Sequence, residues 1–251
     1  MKEKHRDDRE FDTTQLHENG HGKSLHRDYS AHFWRWSFAR RHITANDNVL
    51  EIGCGEDKPL SKILTGGAAA HVNHYTGVDL NKIKPSNSQR LKFIGEFNFV
   101  ERYKELEREG GYDVVVSMEV IEHMHSKHQQ PFMDAIYHVL KPGGTALIST
   151  PAYDGVRMAA NHISEITITE LQALCDKAGF TVERRFGTFM DIKHIGKDLP
   201  QVPGVDNHKL LDAIKVLRPA LSGYFDNDAI SNIFGCLYPD NARNNLWVLR
   251  K

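Results

Sequence analysis

The chain is poor in cysteine. Cys54, Cys175 and Cys236 are the only three in 251 residues, they lie far apart, and no CxxC pair occurs. That usage argues against a disulfide framework or a zinc ribbon and fits a reducing compartment, so a cytoplasmic location is expected. Long apolar runs are also missing. Nothing approaches the roughly 18 residues of a membrane span, and the opening MKEKHRDDREFDTTQ has no apolar core of the kind a signal peptide carries. No membrane partner is therefore expected. Neither charge sign dominates, with 32 Lys+Arg against 33 Asp+Glu and a formal charge of −1. A surface that tracks a phosphate backbone throughout is disfavoured, which leaves room for a local basic patch. At 40% hydrophobic and 26% charged residues the composition excludes a disordered or fibrous chain.

What is plentiful is histidine, 15 in all, a residue that serves as metal ligand, general base or pH-sensitive charge. Residues 1–27 are polar, without apolar period, and read as a flexible leader. The span 28–251 reads as one domain, with an N-terminal helix over 28–42, a core over 45–186 and a C-terminal cover over 187–245. In the helix, Tyr29, Phe33, Trp36 and Arg40 share a stripe, which predicts buried aromatics and solvated arginines, Arg35 among them. Strands are expected at Val49–Ile52, Tyr75–Val78, Leu91–Ile94, Val114–Val116, Thr145–Ile148, Thr181–Phe186 and Asn245–Leu249. Helices are expected at Pro131–Leu140, stopped by Lys-Pro-Gly-Gly, at Glu170–Ala178 behind a Thr167/Glu170 capping box, and at His208–Leu217. Strand and helix in alternation, with near-continuous apolar strands, imply an α/β fold whose parallel sheet is covered on both faces.

The strand ends carry the chemistry. The first strand runs into Glu51-Ile52-Gly53-Cys54-Gly55. Two glycines there let the backbone turn sharply and approach a ligand at the carboxyl edge, but the third glycine of a dinucleotide fingerprint is absent. The second strand ends in Asp79, 24 residues after Gly55, close to the spacing of a carboxylate that binds ribose hydroxyls. The third ends in Gly95-Glu96-Phe97, an acid and a ring suited to an adenine.

In this order VLEIGCG, GVDL, FIGEF, YDVVVSMEVIEH and LKPGGTALISTP resemble the five motifs of the class I S-adenosylmethionine-dependent methyltransferases, over about residues 45–186. The resemblance implies a Rossmann-like seven-stranded sheet, mostly parallel with one antiparallel strand. It implies that Glu51, Gly53 and Gly55 cradle the methionine part of S-adenosylmethionine. Asp79 would hold the ribose and Glu96 the adenine, with Leu80 and Phe97 flanking the ring. Cys54 and Ser117 complete the cofactor-binding set.

After the fourth strand come Glu119-Val120-Ile121-Glu122-His123, and His162 follows the fifth. On a helix Glu119, Glu122 and His123 would share one face, where two carboxylates and an imidazole need a cation or proton between them. The ExxEH pattern with a later His is similar to small-RNA 2′-O-methyltransferases, and ExxEH also to ubiquinone-biosynthesis O-methyltransferases. The first resemblance implies that Glu119, Glu122, His123 and His162 are catalytic and bind Mg²⁺ or Mn²⁺. Metal-free class I enzymes carry the same pentapeptide, with the His as base or loop cap, so both readings follow from the residues. The base-amine motif [DNS]PP[FYW] is replaced by Ser117-Met118-Glu119-Val120, and no Pro-Cys nucleophile exists. A hydroxyl acceptor on a small molecule, nucleotide or RNA is expected. The alternatives are N-methylation of a small molecule, or an inactive cofactor-binding partner subunit.

Overall fold

The computed structural model describes residues 10–12, 27–56, 59–65, 72–85, 90–153, 155, 158–188, 190 and 207–251. Most of the leader, with His17, His21 and His26, lies outside the described residues, as do 191–206 within the expected cover.

Seven strands form one sheet: β1 (Asn48–Ile52), β2 (His74–Val78), β3 (Leu91–Ile94), β4 (Tyr112–Met118), β5 (Leu140–Pro151), β6 (Thr181–Gly187) and β7 (Asn244–Arg250). Their spatial order is β3-β2-β1-β4-β5-β7-β6. β1 to β5 pair in parallel, and β7 runs antiparallel between β5 and β6. This is the Rossmann-like, mostly parallel sheet that the motifs implied.

Side chains alternate between the two faces of the sheet with period two. Leu50, Ile52, Val115, Ala146, Ile148, Trp247 and Leu249 pack into one core. That core also takes up α3 (Phe99–Arg102), α4 (Ser126–Val139) and α5 (Ile168–Ala178). Val49, Val114, Val116, Leu147, Leu246 and Val248 form the other, against α1 (Arg27–Arg41) and α2 (Pro59–Thr65). Helices therefore cover both faces.

Several boundaries differ from the sequence reading, each for a local reason. α4 starts at Ser126 behind an N-cap by His125 and contains Pro131, five residues inside the helix rather than at its start. Lys-Pro-Gly-Gly lies inside β5, at the register shift between the Tyr112–Leu140 and Val114–Thr145 pairs, so an apparent stop is an irregular strand start. α6 (Asn207–Leu221) continues through Pro219. Within the expected cover lies a further helix where none was expected, α7 (Asn227–Leu237), capped by Asp226.

Candidate active site

The turn after β1 is shaped by two left-handed glycines, Gly53 at φ 74° and Gly55 at φ 66°. A Cβ on Gly53 would lie 2.4 Å from Val120 Cγ2, so the loop after β4 can close on it only because glycine is there. Gly55 N–H donates to Asp79 Oδ2 at 2.9 Å, and Asn81 N–H to Oδ1 at 2.8 Å. Asp79 is thus fixed at the carboxyl edge with one further lone pair on each oxygen. Burial raises its pKa, and the two backbone donors pull the other way. Glu51 is buried and accepts the Tyr75 hydroxyl. Burial lifts its carboxyl to about 8 against that hydrogen bond, and the Asp79 charge adds to the rise. Tyr75 was not singled out from the sequence, because a strand tyrosine carries no sign of its partner.

The other expected cofactor residues divide. Leu80 and Glu96 are exposed at the edge, Glu96 in a left-handed conformation at φ 50°. Phe97, expected to flank the adenine, is buried in the core with the Arg102 guanidinium 4.5 Å from its ring centre. Cys54 is buried and packs with its core. Ser117 is buried, and its Oγ has no hydrogen-bond partner among the described residues.

The acidic cluster differs from the helix expected for it. Glu119 is left-handed at φ 57°, and only Ile121–His123 form a short 3₁₀ turn, so the shared-face argument does not hold. Glu119 is turned toward the α1 side. Ser149 Oγ donates to it at 2.7 Å, Asn244 Nδ2 at 2.6 Å, and Arg35 lies 3.8 Å away. Arg35 is therefore a buried partner of the motif, which corrects its reading as a solvated side chain. Arg40 and Arg41 are exposed at the far end of α1, beside the amino edge where β1 begins.

Glu122, His123 and His162 do converge, with one potential ligand atom from each within 4.8 Å of the others. The two rings stand perpendicular, 4.9 Å apart. His123 Nδ1 lies 2.9 Å from the Asn161 carbonyl and His162 Nδ1 lies 2.5 Å from Glu165 Oε1. Both partners only accept, so each Nδ1 carries a proton, and Nε2 is the nitrogen that offers a lone pair when the ring is neutral. Thr150 Oγ1 donates to Glu122 Oε2 at 3.1 Å, while Glu122 Oε1 is buried without a partner among the described residues. Burial, then the Glu119 charge, raises Glu122 to about 8. Burial and His162 lower His123 to about 4. His162 is pulled down by burial, but its Glu165 hydrogen bond and the nearby carboxylates hold it above the usual value.

The leader reaches this site. Asp12 N–H donates to the His123 carbonyl at 2.8 Å and His125 N–H to that of Glu10 at 2.9 Å, with Phe11 bridged to Met124. Phe11 stacks on His128 at 4.8 Å, and Glu10 pairs with Lys127 and with His128 at 2.6 Å. Three residues in a polar leader gave no sequence signal for this.

The family model described as a methyltransferase domain matches residues 26–184. A probable S-adenosylmethionine-dependent methyltransferase of Mycolicibacterium smegmatis is 31% identical over 180 residues, covering 62% of this chain and 63% of that protein. The small RNA 2′-O-methyltransferase of Mus musculus is 31% identical over 136 residues, covering 47% and 33%. The chain thus spans less than two thirds of the length of either relative. A solved S-adenosylmethionine-dependent methyltransferase from Archaeoglobus fulgidus superposes with a TM-score of 0.58 at 14% identity, over 90% of this chain and 95% of that one, and shares the fold.

Proposed function

The chain belongs to the methyltransferase domain family and carries a class I S-adenosylmethionine-dependent methyltransferase fold; on that premise we propose that it transfers the methyl group of S-adenosylmethionine to a hydroxyl of its acceptor, with a divalent metal held by Glu122, His123 and His162. One observation carries the metal assignment. Both imidazoles have Nδ1 engaged by an acceptor, which turns Nε2 of each ring to a ligand, beside a buried carboxylate oxygen with no partner among the described residues. Histidines that bind metals are held in this way by an outer carbonyl or carboxylate. His123, with its pKa lowered to about 4, also stays neutral as a ligand must.

A set of two imidazoles and one carboxylate fits Mn²⁺, Co²⁺ or Zn²⁺, and takes Mg²⁺ less readily. Such an ion lowers the pKa of a bound hydroxyl and so supplies the nucleophile at neutral pH. Glu119 is left out of the ligand set, since Ser149, Asn244 and Arg35 engage its carboxylate. In this reading it anchors the 119–123 turn. Glu51 and the GxG turn receive the methionine end of the cofactor, Asp79 its ribose, and Leu80 and Glu96 its base. The hydroxyl acceptor is supported by the small-RNA relative and by the missing base-amine motif.

The test is tritiated-methyl transfer to a short RNA with a free 3′ ribose and to 3,4-dihydroxybenzoate, with and without EDTA. Transfer lost with EDTA and restored by Mn²⁺ or Mg²⁺ is expected. Mn²⁺ binding measured by titration calorimetry should fall at least tenfold in His162→Ala and stay within about threefold of wild type in Glu119→Gln. Equal weakening by both variants would place Glu119 among the ligands.

A further inference from the structure

Asn245 is the outlier among the polar groups of the sheet. It is 1% exposed, yet neither Oδ1 nor Nδ2 has a hydrogen-bond partner among the described residues. A buried side-chain amide with both ends open is uncommon, because each unmade hydrogen bond costs desolvation with nothing returned. Its place in the sheet says what could fill the gap. On β7, Trp247 and Leu249 belong to the core on the α4 and α5 side, so Asn245 faces that side too. Its register partner on β5 is Thr150, which donates to Glu122. On its other flank the register partner is Gly187, which presents no side chain. A Cβ there would lie 2.2 Å from the Gly235 carbonyl, so α7 walls the site on that side. One strand beyond Thr150, on the same face, the Ser117 Oγ is also buried and unpartnered, as is Glu122 Oε1.

We propose that Asn245 binds the acceptor, its amide both donating to and accepting from a neutral group of the acceptor held beside Glu122. The proposal rests on the O-methyltransferase reading and adds a recognition residue to it. A group that both donates and accepts is required to satisfy both ends of the amide. A hydroxyl does so, whereas a carboxylate or phosphate only accepts and an ammonium only donates. The shared chemistry is that of a second hydroxyl on a polyhydroxylated acceptor, whether a ribose or a phenol.

Asn245→Leu has nearly the same shape and no polar atoms. Removing an unsatisfied buried amide should leave the free protein as stable or more so, with a rise in Tm of up to about 2–4 °C. It should raise KM for the methylated probe about tenfold or more, because the acceptor then loses a partner inside a dry site. Binding of S-adenosylhomocysteine, read by calorimetry, should be unchanged. Asn245→Ser, which keeps a donor and an acceptor, should recover part of the KM. The arms with RNA and with 3,4-dihydroxybenzoate tell the two sources of the hydroxyl apart. Unchanged KM in Asn245→Leu overturns the inference and leaves the O-methyltransferase reading standing. If wild type methylates neither probe, that reading falls instead. The melting temperature then decides for Asn245: a fall in Asn245→Leu shows an amide satisfied within the protein and overturns the inference, and a rise supports it.

Discussion

At the scale of single residues, the buried acid on β1 ties cofactor geometry to stability. Glu51 has its carboxyl raised to about 8 by burial, against 4.5 for an ordinary glutamate. Between those values the folded chain holds a proton that the unfolded chain has released. The sign follows from proton counting. Glu51's contribution is fully present below about pH 4.5 and is lost as pH rises through 8. Glu122, also raised to about 8, acts in the same direction, and His123, lowered to about 4, acts in the opposite one. The clean measurement is therefore a difference between variants. In urea unfolding of the ligand-free protein, Glu51→Gln should remove a fall of about 1.4 kcal/mol per pH unit between pH 5.5 and 7.5 relative to wild type. Parallel pH profiles for the two proteins would show that Glu51 titrates alike in both states.

At the scale of elements, the motifs at strand ends were legible because each depends on local chain geometry. A GxG turn, an acid after β2 and a capping box at Thr167 and Glu170 all announce themselves within a few residues, and the structure has both backbone glycine turns and the full capping box. What was not legible depends on pairing across the chain. Arg35 read as solvated because nothing in α1 points to Glu119, which lies on the turn after β4. The left-handed Glu119 broke a helix that its i, i+3, i+4 spacing had predicted, since Ser149 and Asn244 draw its carboxylate toward β5 and β7. Asn245 looked like any polar residue in a tail, and its orphaned amide exists only once β7 is laid beside β5.

The docked leader belongs to the same class and has a measurable consequence. Its bridge to Met124 and the ring stack of Phe11 on His128 hold the segment that follows Glu122 and His123. Phe11→Ala removes an aromatic pair and its buried area, a loss near 1.4 kcal/mol. That should speed exchange of the His125 amide, which donates to Glu10, about tenfold, with β4 amides unaffected. Hydrogen-exchange mass spectrometry of peptides over 120–128 reads this. Unchanged exchange there would mean that the leader leaves this segment as it finds it.

At the scale of the whole molecule, the balanced net charge conceals an uneven distribution. The described carboxyl edge carries the acids Asp79, Glu96, Glu119 and Glu165, the protonated Glu51 and Glu122, and the bases Lys82, Arg102, Lys127 and Arg243, with Arg35 buried against Glu119. The exposed pair Arg40 and Arg41 sits at the opposite, amino edge, so the basic patch suggested by α1 faces away from the chemistry. A polyanion lying along the active-site edge would meet the exposed Glu96 and bases that are scattered or already paired, since Glu51 and Glu122 hold protons at neutral pH and Arg35 is spent on Glu119. Whatever hydroxyl is methylated, its binding should therefore gain little from phosphate contacts. Each phosphate neutralised on a single strand contributes a slope of about −0.7 in log K against log salt, so a fourfold rise in salt weakens binding about 2.6-fold per contact. Between 50 and 200 mM salt, KM for the methylated acceptor is expected to change less than about twofold, short of one such contact. A loss above about tenfold would need two to three neutralised phosphates. It would show that bases of the active-site edge, Lys82, Arg102 and Lys127 among them, act together on the acceptor's phosphates.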